Sequence, residues 1–166
     1  MSLGKPNDWP HRLLDTLGHP DPKLQELEAT VTAMRRSQAV IEFTPDGTIL
    51  DANDLFLGAL GYRLDEIRGQ HHRMFVTAEE AASPGYKDFW AYLASGRFSA
   101  GQYLRRHKNG QPVWIQASYN PVLDASGRAF KVVKFATDIT AQKLKDVEFS
   151  NQMAAIDRTQ AIIEFE

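Results

Sequence analysis

The stretch Trp114-Ile-Gln-Ala-Ser-Tyr-Asn-Pro-Val-Leu-Asp-Ala-Ser-Gly-Arg-Ala-Phe-Lys-Val-Val-Lys-Phe-Ala-Thr-Asp-Ile-Thr140 decides how this chain is read. It holds two strand-like runs, Val113 to Val122 and Phe130 to Thr137. Between them lies Asp124-Ala-Ser-Gly127, whose Asp, Ser and Gly are turn formers, so the chain reverses and the runs pair as a hairpin. In the second run Phe130, Val132, Lys134 and Ala136 alternate with Lys131, Val133, Phe135 and Thr137. Neither set is wholly polar, which predicts a packed sheet rather than a free ribbon. At Asp138-Ile139-Thr140 the period changes and a helix begins, running to about Arg158.

Upstream of this stretch, Gly101 to His107 reads as a strand that turns at Lys108-Asn-Gly110 into the Trp114 strand, making a three-stranded meander. Ser83-Pro84 starts a helix carrying Tyr86, Phe89, Trp90 and Leu93 and ending near Gly96. Asn53 or Asp54 caps a helix with Leu55, Phe56, Leu57 and Leu60 that Gly61 closes, and Leu64 to Ile67 adds another helical turn. Ala39 to Phe43 and Thr48 to Leu50 form a hairpin across Thr44-Pro-Asp-Gly47. The predicted order is two strands, several short helices, then three strands: an α+β domain.

Residues 1–21 are rich in Pro, Gly, His and Asp, with one apolar patch at Leu13, Leu14 and Leu17, and read as a loosely held arm. Residues 22–36 read as a helix with Leu24, Leu27, Val31 and Met34 at coiled-coil spacing; this stripe either docks on its own domain or pairs with a second copy. The linker helix, 142–158, carries Leu144, Val147, Met153, Ala154 and Ile156 but is interrupted at Ser150 and Asn151, as suits a spacer or a weakly dimerising signalling helix. Ser37-Gln-Ala-Val-Ile-Glu-Phe43 returns as Thr159-Gln-Ala-Ile-Ile-Glu-Phe165, each preceded by Arg. Residues 159–166 are therefore read as the start of a second copy in a tandem array.

At 166 residues and 43% hydrophobic, the chain is long enough for one buried core with extensions. A net charge of -2 with dispersed Lys and Arg gives no electrostatic reason to expect nucleic acid or an anionic membrane as partner. The absence of cysteine excludes disulfides, thiolate metal sites and cysteine nucleophiles, and suits the cytoplasm. No apolar run approaches the roughly 20 residues of a membrane helix. Glu66, Glu79, Glu80 and Asp88 are scattered, Ser118 has no nearby base, no glycine-rich phosphate loop occurs, and His107 reads as a turn residue rather than a metal ligand. A non-enzymatic role is expected.

Pro45-Asp-Gly47, Asp51-Ala-Asn53, Leu60-Gly-Tyr62, Glu66-Ile-Arg-Gly69, Lys108-Asn-Gly110, Trp114 and Asp138-Ile-Thr140, in this order over residues 37–141, resemble the PAS family of sensory domains. The resemblance is strongest to PAS units in tandem upstream of methyl-accepting signalling domains in bacterial chemoreceptors of the aerotaxis and biofilm-dispersal type. It implies a five-stranded antiparallel sheet with short helices on one face, and a cleft between them that holds a cofactor, a metabolite or only side chains. His71, His72, Met74, Phe75, Phe89, Trp90 and Leu93 are the candidate cleft residues. Signal would leave through Asp138, Ile139 and Thr140 into the following helix.

In the flavin-binding LOV branch the photoactive cysteine would fall on His72, the flavin-holding asparagines on His71, Arg105 and Ile115, and the switching glutamine on Ala136, so a LOV-type flavin site is argued against. Haem stays a candidate through His71 or His72, against the plainer reading of both as surface or core-edge side chains. The expected partners are a second copy in a homodimer, the adjacent PAS repeat and a downstream signalling domain. The expected function is sensory input for a chemoreceptor-like protein. The alternative is a ligand-free dimerisation module of a histidine kinase or a cyclic-dinucleotide enzyme.

Overall fold

The structure is a computed structural model that describes residues 21–163, with side chains described through Ala154. The expected arm with Leu13, Leu14 and Leu17, the Ile156 side chain and residues 164–166 lie outside the described residues. The chain divides into two units at Ser37/Gln38.

The first unit contributes α1, Pro22–Ser37. Asp21 starts it, accepting from the Lys23 amide through its carboxylate (2.9 Å), and Arg35 and Arg36 in the last turn complement the negative end of the helix dipole. Leu24, Leu27, Val31 and Met34 are each about half exposed, and no residue of α1 is buried.

The second unit holds an antiparallel five-stranded sheet in the order β2-β1-β5-β4-β3. Its strands are β1 (Ala39–Phe43), β2 (Ile49–Ala52), β3 (Ser99–Arg106), β4 (Pro112–Leu123) and β5 (Ala129–Asp138). The turn chemistry explains the hairpins. Gly127 takes φ +80° and donates to the Asp124 carbonyl, and the Asp124 carboxylate accepts from the Ser126 and Arg128 amides. The strands run one or two residues beyond the sequence reading at most ends. β5 lies in the middle, between β1 and β4, so the last strand closes the sheet against the first.

Between β2 and β3 run α2 (Asp54–Leu60), α3 (Leu64–Ile67), a 3₁₀ turn His72–Phe75, α4 (Ala78–Ala82) and α5 (Pro84–Ala94). Asn53 is the N-cap of α2: its Oδ1 accepts from the Phe56 and Val40 amides (3.1 and 2.8 Å), and its Nδ2 donates to the Gln38 carbonyl (2.7 Å). One side chain thus ties the helix to β1. Ser83 caps α5 in the same way, with Pro84 in its first turn. Ile41, Phe43 and Ile49 from the strands join Phe56, Leu60, Ile67, Phe75 and Leu93 from the helical layer in one core, each at most 2% exposed. Burial of such a side chain stabilises by roughly 1.5–3 kcal/mol.

The last helix, α6, spans Thr140–Ile163. It begins where the sequence places it but runs past Arg158 into Thr159–Ile163, where a strand of a second copy was expected. The first copy of that motif is extended because β2 and β5 flank it; residues 159–163 have no strand beside them among the described residues, so the helical ladder continues.

Candidate functional site

Inward positions on β3, β4 and β5 are not all apolar. Tyr119, Arg105 and Lys134 project into the interior at 0%, 4% and 0% exposure, and β4–β5 pairing sets Tyr119 directly opposite Lys134. The helical layer answers with His72 at 0%, Trp90 at 6% and Tyr86 at 8% exposure.

The polar atoms form a directional chain. Arg105 Nη2 donates to Tyr119 Oη (3.1 Å); a guanidinium cannot accept, so the phenol proton is free to go to His72 Nε2, 3.1 Å away. The His72 proton then sits on Nδ1 and is donated to Tyr86 Oη at 2.9 Å. Burial first, then the positive charges of Lys134 and Arg105, hold the imidazole pKa well below 6.5, so His72 is neutral, as this chain requires. Burial raises the Tyr119 phenol to about 12 despite the opposing pull of Arg105. It also raises Tyr86.

Three nitrogens lack partners among the described residues: Trp90 Nε1, Arg105 Nε and Lys134 Nζ. The Trp90 N–H lies close enough to Tyr86 to draw that phenol's pKa partly back, but makes no well-formed hydrogen bond. Arg105 Nη1 reaches the Leu104 carbonyl (2.7 Å) and Glu80 Oε1 (3.4 Å), which tethers β3 to α4. Lys134 Nζ sits 4.7 Å from the centroid of the Tyr119 ring and 5.7 Å from that of Phe56, with aromatic faces as its nearest compensation. Burial, then Arg105, holds the Lys134 amine well below its ordinary 10.5.

The seven cleft residues expected from sequence divide. His72, Phe89 and Trp90 surround Tyr119, with ring centroids 5.9, 5.0 and 6.4 Å away. Phe75 and Leu93 are core, and Met74 packs against that core half-buried. His71 is elsewhere: it caps the 3₁₀ turn, its Nε2 bonds the Asp46 carbonyl (2.7 Å), and its Nδ1 accepts from the Arg73 amide (3.1 Å). It lines an outer cleft of about 490 Å³ with Arg73, Lys87 and one side of Trp90. The reading of both histidines as surface or core-edge side chains is corrected for His72, which the 3₁₀ turn carries fully inside. Tyr86, Arg105, Tyr119 and Lys134 were not among the expected site residues; the one legible signal was a lysine in an otherwise apolar inward set.

These residues do not fit a haem on His72 as they stand. Nε2 accepts the hydrogen bond of the Tyr119 phenol, and Nδ1 donates its own proton to Tyr86, so neither ring nitrogen keeps a free lone pair. A LOV-type adduct has no thiol to form it, and Arg105, Ile115 and Ala136 line the interior where amide side chains would be needed.

At the far end of β5, the Ile139 amide donates to the Trp114 carbonyl (2.8 Å), the Trp114 amide to Thr140 Oγ1 (2.9 Å), and the Thr140 amide to Asp138 Oδ1 (2.8 Å). The start of α6 is pinned to β4 by these bonds. No described helix is long and apolar enough to cross a membrane.

Comparison with known proteins places this geometry. The family described as PAS fold matches residues 49–136. The biofilm dispersion protein BdlA of Pseudomonas aeruginosa is 44% identical over 136 residues, covering 82% of this chain and 33% of that protein. The aerotaxis receptor of Escherichia coli is 31% identical over 100 residues, covering 60% of this chain and 19% of the receptor. The chain thus spans about a third and about a fifth of these relatives' lengths. Among solved structures, an RNA-binding light-oxygen-voltage receptor superposes with a TM-score of 0.63 at 21% identity, over 87% of this chain and 41% of that one.

Proposed function

The chain belongs to the PAS family, and on that premise we propose that it is a sensory input domain of a chemoreceptor-like signalling protein, one that binds rather than catalyses. The relatives whose names refer to aerotaxis and biofilm dispersion support the reading. The carrying observation is one of connectivity: the strand that bears the unpartnered Lys134 is the strand that runs into α6. A ligand that gives Lys134 a partner moves β5 against β4, and the bonds at Trp114, with Asp138 holding the Thr140 amide, pass that movement to the helix. The absence of cysteine agrees with a cytoplasmic placement.

The test is hydrogen exchange on Tyr119→Phe, which removes the phenol between Arg105 and His72. Altered exchange over residues 138–147, with α1 unchanged, is expected. A change that stops within the interior strands would sink the sensory reading.

The dense ring packing around His72 favours a second reading, a ligand-free module that dimerises and transmits. Its surface would be the exposed stripe Leu24, Leu27, Val31 and Met34, and light scattering that shows a monomer at high concentration would remove it.

A further inference from the structure

The unpartnered nitrogens around Tyr119 share one property: all are donors, so the missing partner is an acceptor. Two belong to basic groups, Arg105 and Lys134, buried at 4% and 0% exposure. Glu80, 41% exposed, is the carboxylate that Arg105 already reaches, at 3.4 Å and from the surface side. A lysine taken out of water without an anion either keeps its charge at a cost of several kcal/mol or gives up its proton, and an apolar residue at the centre of β5 would avoid both. The flanking groups are aromatic. A cleft of about 220 Å³ opens onto Arg105 between Glu80, Tyr86, Phe89 and Tyr103, below the volume usual for a drug-sized ligand.

We infer that the domain receives a small organic acid, entering over the Glu80–Arg105 pair and placing its carboxylate on Lys134 Nζ and Arg105 Nε with its apolar part against the Trp90 and Tyr119 rings. This deepens the sensory reading and rests on it. Binding takes Arg105 from Glu80, so the tether between β3 and α4 opens as the acid enters. The acid gives Lys134 its first polar partner at the point where β5 pairs with both Ile41 and Tyr119, so the middle of the sheet feels the ligand directly.

The experiment is thermal unfolding of the chain with matched acid and amide pairs at equal ionic strength: acetate with acetamide, phenylacetate with phenylacetamide, indole-3-acetate with indole-3-acetamide. At least one acid raises the melting temperature by several degrees while its amide does not, Lys134→Met abolishes the difference, and Lys134→Arg keeps it. No pair separating acid from amide, or a separation that survives Lys134→Met, overturns the inference. The outcomes are distinguishable from failure of the sensory reading. An acid that binds while α6 exchange stays fixed removes the sensor and leaves the acid site; exchange that responds to Tyr119→Phe without any acid preference does the reverse.

Discussion

Beneath α2 and α3 the interior is closed by Phe56, Leu60, Ile67 and Phe75, none with a polar atom to satisfy, whereas beneath α5 the same sheet meets His72, Tyr86 and Trp90 with Tyr119, Arg105 and Lys134. Lys134 stands at the seam, between the Phe56 and Tyr119 rings. The first half gains stability from every atom it buries. The second half buries as thoroughly but leaves donors unpartnered, and buried donors without acceptors oppose folding. One half therefore holds the domain together and the other is held together by it, which is what the proposed binding role requires.

The comparison breaks most sharply if its apolar half is removed. Phe75 is fully buried and makes edge contacts with Phe56 and Tyr62, both at 5.6 Å. Phe75→Ala is expected to cost about 3–5 kcal/mol in urea unfolding, through lost transfer energy and the cavity left behind. A loss under about 1 kcal/mol would mean that the apolar half is not the source of stability.

The matching change in the polar half has the opposite sign. Lys134→Met replaces an unpartnered amine with an apolar chain of similar length and is expected to leave stability unchanged or raise it by about 1–4 kcal/mol. Lys134 titrates in the fold below its ordinary 10.5, so the unfolded chain takes the proton first as pH falls from there, and the fold loses ground until its own Lys134 protonates. Met binds no proton. The advantage of Lys134→Met should therefore widen as pH falls from about 10.5 toward neutral, as read by urea unfolding at each pH. A variant less stable than the parent across that range would mean that Lys134 already has an internal partner.

A smaller effect separates the halves on the acid side. The His72 pKa is depressed below 6.5, so the unfolded chain again binds the proton first, and stability falls as pH drops from about 6.5 toward the folded value. The slope can reach roughly 1.4 kcal/mol per pH unit. Arg105, Lys134 and the raised phenols Tyr86 and Tyr119 face the ring from three strands and α5, and none supplies a carboxylate to hold a proton there. The carboxyls of Asp46, Asp65, Glu66 and Asp124 are lowered from values of 3.8 and 4.5, so their protonation lies below this window. His72→Phe should be less stable than the parent at neutral pH, because Tyr86 loses a donor and the Tyr119 hydroxyl its acceptor, and should show a flatter profile between pH 6.5 and 5. Parallel profiles would place the titrating group elsewhere.

The same contrast explains what could be read from residues alone. Turn chemistry at Thr44–Thr48, Lys108–Gly110 and Asp124–Gly127 marked the three hairpins, and the caps Asn53 and Ser83 marked the starts of α2 and α5, because each is decided within a few residues. The apolar half follows from periodicity in the same way. The polar half does not. Lys134 shares its inward face with Val132 and Ala136, which the alternation displays, but whether it finds an acid depends on what β3, β4 and α5 bring opposite it. Nor does the pair His71-His72 say which ring turns inward, since neither a strand nor an α-helix period governs a 3₁₀ turn. The strand expected at residue 159 depends on partner strands, and none lies beside it among the described residues.

The smallest change in stability is expected where β5 passes into α6. Asp138 is exposed, and its carboxylate accepts from the Thr140 amide at 2.8 Å, holding the first turn of α6 while the neighbouring bonds join it to Trp114. Asp138→Ala removes one N-terminal acceptor and should cost about 0.5–1 kcal/mol in global unfolding. The cost is small because Thr140 Oγ1 and the Ile139 amide still bind β4, and Lys143 still lies 5.2 Å from the Trp114 ring. Its consequence for coupling is larger than its energy: with the first turn frayed, exchange over residues 139–147 should rise and cease to respond to Tyr119→Phe, while exchange in β4 and β5 responds as before. If residues 139–147 still respond in the double variant, the message travels through the Trp114 bonds alone, and Asp138 is a cap and nothing more.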